Sequence, residues 1–146
     1  MKRSLALAAV LVLAVSAVAF GAVQDFGKFT VDVASGWTAS QNGPTAIITK
    51  NDNTAQLSIT VDAAQGNSAK DLAAAFVENF KGSFAKVTAP EADADGDYSW
   101  SMTNANGVDT NAVLHVEDGD YMLITMTGLD VAADEISAML GTVQDK

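Results

Sequence analysis

Apolar and polar residues alternate along much of this chain, and the alternation predicts β-strands. It is strict in three segments, residues 29–33, 57–61 and 98–103. Such a pattern is typical of a strand with one buried face, because successive side chains of a strand point to opposite sides. Three further segments are apolar at both parities: residues 46–49, 112–117 and 121–126. They favour central strands that are covered on both faces.

Turn-forming residues separate the predicted strands. The clearest turn is Asp118-Gly119, which lies between Glu117 and Asp120. Asp-Gly tolerates the positive φ angles that a two-residue hairpin turn needs. Other turn formers are Asn42-Gly43-Pro44, residues 51–53 and Asn106-Gly107. Connections this short join antiparallel neighbours, so we predict an antiparallel sheet.

The segment 68–81 has helical periodicity instead. Its apolar residues recur at steps of three and four: Leu72, Ala73, Phe76, Val77 and Phe80. This spacing places them on one face of a helix. Ser68 and Asp71 have the spacing of a capping box, and Gly82 is placed to end the helix. We therefore predict an amphipathic helix that begins after Ser68.

A second helix is predicted over residues 131–143. Asp130 precedes it as a candidate N-cap, and Asp134 and Glu135 suit its first turn. Its inward face is predicted from the apolar residues at helical spacing: Ala132, Ile136, Met139, Leu140 and Val143.

The order of these elements predicts an α+β fold. Four strands precede the first helix, and three or four strands lie between it and the second. We expect a central antiparallel β-sheet with two α-helices packed on it, in a single domain over residues 22–146. About 125 residues can bury roughly two-thirds of their unfolded surface, which is enough for one core. A β-sandwich with peripheral helices is the alternative architecture.

One aromatic side chain is a strong candidate for this core. Trp100 shares its parity with Tyr98 and Met102 on the predicted strand 98–103. We expect Trp100 to be buried, since aromatic residues at strand spacing belong more often to a core than to a ligand pocket. Ser99 has the opposite parity and is expected at the surface.

Residues 1–21 have the organisation of a secretory signal peptide. Lys2 and Arg3 form a positive n-region, and a long apolar run follows and ends in small residues. We predict cleavage after Ala19 or after Gly21. The alternative is a membrane anchor, but no basic stop-transfer cluster follows, and no second run reaches spanning length. We expect a periplasmic or secreted protein with no stable membrane insertion after cleavage.

Acidic residues outnumber basic ones, 18 to 8, and the chain has no cysteine. Loss of Lys2 and Arg3 with the leader leaves six basic residues against 18 acidic, a net charge of −12. This charge repels the phosphates of nucleic acid, so we expect no nucleic-acid partner. It attracts cations or basic partners instead. The lack of cysteine excludes disulfides, thiolate metal sites and cysteine nucleophiles.

The segment 29–37 resembles the beginning of a known fold. An alternating strand, FTVDVAS, leads into Gly36-Trp37, and a second strand follows at residues 38–41. Together with the element order, this segment is similar to the PsbP-like family, which includes photosystem accessory proteins and DcrB-type periplasmic proteins. The resemblance implies a central antiparallel sheet sandwiched by helices and an accessory or partner-binding role. It brings no catalytic motif.

His115 is the single imidazole of the sequence, with the parity of Val113 and Glu117 on the predicted strand. A Ser-His-Asp hydrolase needs a serine and a carboxylate beside its histidine, and the sequence has no G-x-S-x-G elbow. One histidine cannot hold Zn²⁺ alone, because zinc takes several ligands. We interpret His115 as an ordinary strand residue.

The densest group of charges is EADADGD, residues 91–97. Its carboxylates belong to Glu91, Asp93, Asp95 and Asp97. Oxygen ligands at positions 1, 3 and 5 with glycine at 6 match the first half of a Ca²⁺ loop, but position 12 is Met102 instead of a bidentate Glu. These four residues are a candidate low-affinity site for a divalent cation such as Ca²⁺. The alternative is an acidic loop between two strands.

The favoured function is an exported, non-enzymatic accessory or binding protein of the cell envelope, whose partner is a protein or a small molecule. The first alternative is a low-affinity cation-binding protein that uses residues 91–97. The second is a hydrolase. Glycine-rich phosphate motifs do not occur in the sequence. We predict no catalytic residue and no cofactor.

Overall fold

The computed structural model describes residues 18–146, so most of the predicted signal peptide lies outside the described residues. The described chain contains eleven strands and two helices. In chain order they are β1 (Phe20–Asp25), β2 (Phe29–Ala34), β3 (Trp37–Asn42), β4 (Thr45–Lys50), β5 (Gln56–Ala63), α1 (Ala69–Phe80), β6 (Lys86–Val87), β7 (Glu91–Ala92), β8 (Tyr98–Thr103), β9 (Asp109–Glu117), β10 (Asp120–Thr127), α2 (Leu129–Gly141) and β11 (Gln144–Asp145). Antiparallel sheets and two helices confirm the predicted α+β class.

The described residues form two compact units. The first contains residues up to Leu57 together with Gly128–Lys146, and the second contains Ser58–Thr127. The single domain over residues 22–146 stays a prediction. Among the described residues, no helix has the length and apolar character needed to cross a membrane.

The first unit contains a three-stranded antiparallel sheet in the order β1-β2-β11. The sequence pattern did not predict β1 or β11. Helix α2 lies against β2, and the Asp32 backbone N–H donates to Thr142 Oγ1 at 2.9 Å. Strands β3 and β4 form an antiparallel hairpin in the same unit. Gly43 has φ +58° at the first central position of its turn, a conformation that glycine adopts without strain.

Helix α2 buries the predicted face but begins differently from the prediction. Four of the five predicted inward residues are buried in the helix, and the fifth, Val143, is buried just after the helix ends at Gly141. The N-cap is Gly128, in the left-handed conformation, so the prediction of Asp130 as the cap is wrong. Asp130 lies inside the first turn, where its carboxylate suits the helix dipole. A Cβ on residue 128 would lie 2.3 Å from the Thr54 carbonyl oxygen, so the close approach of that backbone requires glycine.

The second unit contains strands in the order β5-β10-β9-β8-β6, with β7 also paired to β8. Helix α1 lies on β8 and β9. Its Ser68 cap is confirmed, since Ser68 Oγ accepts the Asp71 N–H at 3.1 Å. The core under α1 contains seven buried side chains: Ala73, Val77, Trp100, Met102, Ala112, Leu114 and Leu123. The predicted burial of Trp100 is therefore confirmed.

The β9–β10 hairpin confirms the predicted Asp118-Gly119 turn. Glu117 pairs with Asp120, and both turn residues have positive φ, +53° and +84°. Strand β10 is buried at three consecutive residues, 122–124, as predicted for a strand covered on both faces. The same prediction is wrong for residues 112–117 and 46–49, where burial alternates. Apolar side chains such as Val113 and Ile47 lie there on the less covered face.

Candidate functional site

His115 lies half-buried on β9 with an acidic side chain beside each ring nitrogen. Its Nδ1 is 2.6 Å from Asp97 Oδ1, and its Nε2 is 3.5 Å from Glu117 Oε2. The Asp97 side chain is only 8% exposed, whereas that of Glu117 is 36% exposed. We call Asp97, His115 and Glu117 the histidine cluster. It combines one imidazole and two carboxylates at the surface of the second unit.

Strand register brings Asp97 to His115. Strand β8 pairs with β9 so that Tyr98 lies opposite Leu114. One step beyond this pair, Asp97 therefore lies opposite His115. The loop before β8 holds Asp97 in place, because the Asp97 N–H donates to Asp93 Oδ1 at 3.0 Å and the Asp97 carbonyl accepts the Asp93 N–H at 2.9 Å.

The two carboxylates together raise the pKa of His115 more than burial lowers it. Burial lowers the pKa of His115, but the hydrogen bond and charge of Asp97, followed by those of Glu117, raise it. The net result is a pKa above the ordinary value. Asp120, opposite Glu117 across the hairpin, adds another acidic residue at this end of the sheet. Protonation of His115 is thus favoured in the folded protein.

This shift predicts a pH dependence of stability that the His115→Gln variant should lose. A group with a raised folded-state pKa contributes stability that is fully present below its unfolded pKa, about 6.5 for histidine. That contribution is lost as the pH rises through the folded-state pKa. The free energy of unfolding of the unsubstituted protein should therefore fall more steeply with pH above about 6.5 than that of the variant. Urea titrations at stepped pH measure both slopes.

A matched control changes one charge elsewhere in the same unit. Glu78 lies on α1, and its exposed side chain pairs with Lys81. The Glu78→Gln variant should keep the full pH dependence. If His115→Gln keeps it as well, the raised pKa of His115 does not stabilise the fold.

The carboxylates predicted as a cation site have different partners in the structure. Asp93 Oδ1 accepts backbone N–H groups from Asp95 and Asp97, and Asp97 turns inward to His115. Glu91 lies in β7, where it pairs with Ser99 of β8. In the described part of the chain, no three His, Asp or Glu side chains are grouped so that they could hold a metal ion. Cation binding by residues 91–97 stays a prediction.

Polar side chains continue along the half-exposed face of β8 and β9. Ser101 Oγ donates to Asn111 Oδ1 at 3.1 Å, and Thr103 Oγ1 donates to Asp109 Oδ1 at 2.7 Å. Each of these pairs lies directly across the two strands. We call these four residues, together with the histidine cluster, the polar strip. Their hydroxyl, amide and carboxylate groups form a surface suited to a polar or cationic partner.

The first unit has a separate cleft of 460 Å³ at the beginning of α2, lined by Val18, Ala19, Ser35 and residues 129–135. The acidic side chain of Glu135 is already occupied. Its carboxylate accepts the Trp37 indole N–H at 2.5 Å and the Lys50 ammonium at 2.8 Å. Lys50, followed by Trp37, holds the pKa of Glu135 below its usual range. Glu135 therefore links α2 to β3 through Trp37 and to β4 through Lys50.

The pairing of His115 with Asp97 was missed in the sequence. Neither residue belongs to a motif, and the loop 91–97 was interpreted as a group of surface charges. The two predicted strands were a partial signal, but the register that places Tyr98 opposite Leu114, and so Asp97 opposite His115, came only from the structure.

Comparison with known proteins gives a structural likeness and no sequence match. No protein-family model and no curated protein matches the chain. The solution structure of cyanobacterial PsbP (CyanoP) from Synechocystis sp. PCC 6803 is similar, with a TM-score of 0.54 and 9% identity over 92% of this chain and 97% of that one. A crystal structure from Bacteroides thetaiotaomicron VPI-5482 also has a TM-score of 0.54, with 12% identity over 89% of this chain and 49% of that one. The likeness to CyanoP confirms the predicted PsbP-like fold.

Proposed function

We propose that this chain is an exported, non-enzymatic accessory protein that binds a basic partner. The observation that carries the proposal is that the imidazole of His115 already has an acidic partner at each ring nitrogen. Both ring nitrogens of His115 have carboxylate neighbours, Asp97 and Glu117. A general base needs a ring nitrogen directed at the proton it removes. This geometry favours binding over acid–base catalysis.

The polar strip is the proposed binding surface. It contains the carboxylates of Asp109 and Glu117, and its hydroxyl and amide groups are half-exposed on β8 and β9. After loss of Lys2 and Arg3 with the leader, a chain with a net charge of −12 attracts a positively charged segment over the range set by the Debye length, about 10 Å at 0.1 M salt. A basic segment of another envelope protein fits this chemistry.

Export is supported by the place where β1 begins. Its first residue, Phe20, pairs with Ala34, so the strand begins directly after the predicted cleavage site at Ala19. Cleavage there removes only one backbone acceptor of this edge, the Ala19 carbonyl that the Ser35 N–H contacts at 2.7 Å. Cleavage after Ala19 leaves β1 whole, whereas cleavage after Gly21 removes its first two residues. Of the two sites that the sequence allows, the proposal takes the one after Ala19.

The test uses the protein recovered from the cell envelope or the medium, first for its mass and then as bait. The intact mass should match a mature chain whose first residue is Phe20. Capture of the partner should weaken as salt rises, because screening slows electrostatic association. The Asp109→Asn variant should weaken capture as well, whereas Glu78→Gln, with the same change of charge on α1, should not.

Two results would contradict the proposal. Retention of Met1 in a membrane fraction would reject export. Capture that is insensitive both to salt and to Asp109→Asn would reject the polar strip as the binding surface, and would direct the search to apolar contacts.

A further inference from the structure

We infer that His115 regulates the polar strip through Glu117: the protonated ring holds the Glu117 carboxylate, and loss of the proton frees this carboxylate for a lysine or arginine of the partner. The two residues lie on one face of β9, two positions apart. The inference rests on the proposed function, because it concerns the same surface and the same kind of partner. The consequence is that the partner binds more tightly at higher pH.

The Asp97 carboxylate decides which ring nitrogen loses its proton. Its Oδ1 lies 2.6 Å from His115 Nδ1, and the Asp97 side chain is only 8% exposed. An ionised carboxylate accepts hydrogen bonds and donates none, so Nδ1 keeps its proton in both charge states of the ring. The proton that leaves is therefore the one on Nε2, which faces Glu117.

The contact at Nε2 is weak enough to be exchanged for another cation. His115 Nε2 and Glu117 Oε2 are 3.5 Å apart, whereas an N–H···O bond usually joins its heavy atoms at about 2.7–3.2 Å. The attraction therefore depends mainly on the charge of the ring, and it ends when Nε2 loses its proton. The Glu117 side chain is 36% exposed, so a cationic side chain of the partner can reach it from solvent.

The groups around the ring set the pH at which Glu117 is freed. Strand β9 lies between β8 and β10, and Asp97 approaches from the loop before β8. On β10, the uncharged Met122 lies opposite His115, and Asp120 lies opposite Glu117. Burial lowers the pKa of His115, and attraction to Asp97 and Glu117 raises it above the ordinary value. The charge of the ring is therefore expected to change above about pH 6.5.

The test measures binding of an oligolysine peptide with blocked ends to the mature protein, by calorimetry at stepped pH between about 5.5 and 9. The lysines of the peptide stay protonated over this range. The affinity should rise by about two- to five-fold as His115 loses its proton, the factor that one exposed ion pair supplies. Reciprocity requires the bound peptide to lower the pKa of His115 in turn. The imidazole ¹H signals measure this change, and they belong to one residue because the chain has a single histidine.

Variants identify the carboxylate that is freed. The affinity of His115→Gln should no longer rise with pH. Glu117→Gln should lose most of the rise, because it has no carboxylate to free. Asp109→Asn, at the other end of β9, should weaken binding at every pH and keep the rise. Glu78→Gln, on α1, should change neither the affinity nor the rise.

The outcomes separate this regulation from the proposed function. Peptide binding that is equally strong across the pH range would overturn the inference and leave the polar strip as the binding surface. A full rise in folded His115→Gln or in folded Glu117→Gln would also overturn it. If no saturable binding occurs at any pH, the proposed basic partner and the inference are both wrong.

Circular dichroism shows that each variant is folded before its affinity is compared. Glu117→Gln keeps the test decisive even if His115→Gln unfolds, because the Glu117 side chain is more exposed than that of His115.

Discussion

Replacement of Trp100 by alanine is expected to lower the free energy of unfolding by about 3–5 kcal/mol. Trp100 is 4% exposed and belongs to the core beneath α1. Its ring lies 6.4 Å from that of Phe80, measured between centroids. Truncation removes most of this contact surface and leaves a cavity that a close-packed core fills only in part. Equilibrium unfolding in guanidinium chloride, followed by circular dichroism, measures the loss.

Two matched variants show which part of the indole matters. In the described part of the chain, the buried Trp100 Nε1 has no hydrogen-bond partner. Trp100→Phe removes this unpaired donor and keeps an aromatic ring, so it should cost well under half as much as alanine. Ser99→Ala changes an exposed side chain on the other face of β8 and should have little effect. If Trp100→Ala leaves the unfolding midpoint unchanged, the assignment of the buried face is wrong.

The second large effect is expected at Gly128, where alanine should destabilise the protein by about 2–5 kcal/mol. Gly128 has φ +82°, which costs an alanine about 1–2 kcal/mol. The added Cβ would also lie 2.3 Å from the Thr54 carbonyl oxygen and 2.8 Å from the Ala55 Cα. Because backbone atoms must move to relieve this overlap, overpacking adds about 1–3 kcal/mol. Chemical denaturation of the purified variant measures the total loss of unfolding free energy from backbone strain and overpacking.

Gly36 provides the control for this prediction. It lies in the same unit with φ +84°, and a Cβ there would have nothing within 4 Å. Gly36→Ala should cost only the backbone strain, about 1–2 kcal/mol. Equal losses for the two variants would mean that the Thr54 backbone moves aside without cost.

Local sequence patterns were sufficient to predict most of the helices and strands. The β9–β10 hairpin was predicted because the alternation and its Asp-Gly turn are close in sequence. The Ser68 cap of α1 was predicted for the same reason. These features depend on neighbouring residues alone, so the amino-acid order contains the information directly.

Features decided by distant residues were not predicted. Asp130 has the chemistry of an N-cap, but the Thr54 carbonyl requires glycine at residue 128. Strand β11 has only two residues, and it is a strand because it pairs with β2. The histidine cluster depends on the β8–β9 register, which no short pattern in β8 specifies. Its individual residues were visible in the sequence, but their proximity was not.

The division of the chain also has a consequence for the order of folding. The second unit is one continuous stretch, Ser58–Thr127, whereas the first is assembled from residues on either side of it. During synthesis, residues 58–127 emerge together and can complete their own pairings. The first unit must wait for residues 128–146, because α2 covers β2 and β11 pairs with it only then. Until that moment β2 has an unpaired edge, open to mispairing or to a chaperone that binds extended chain.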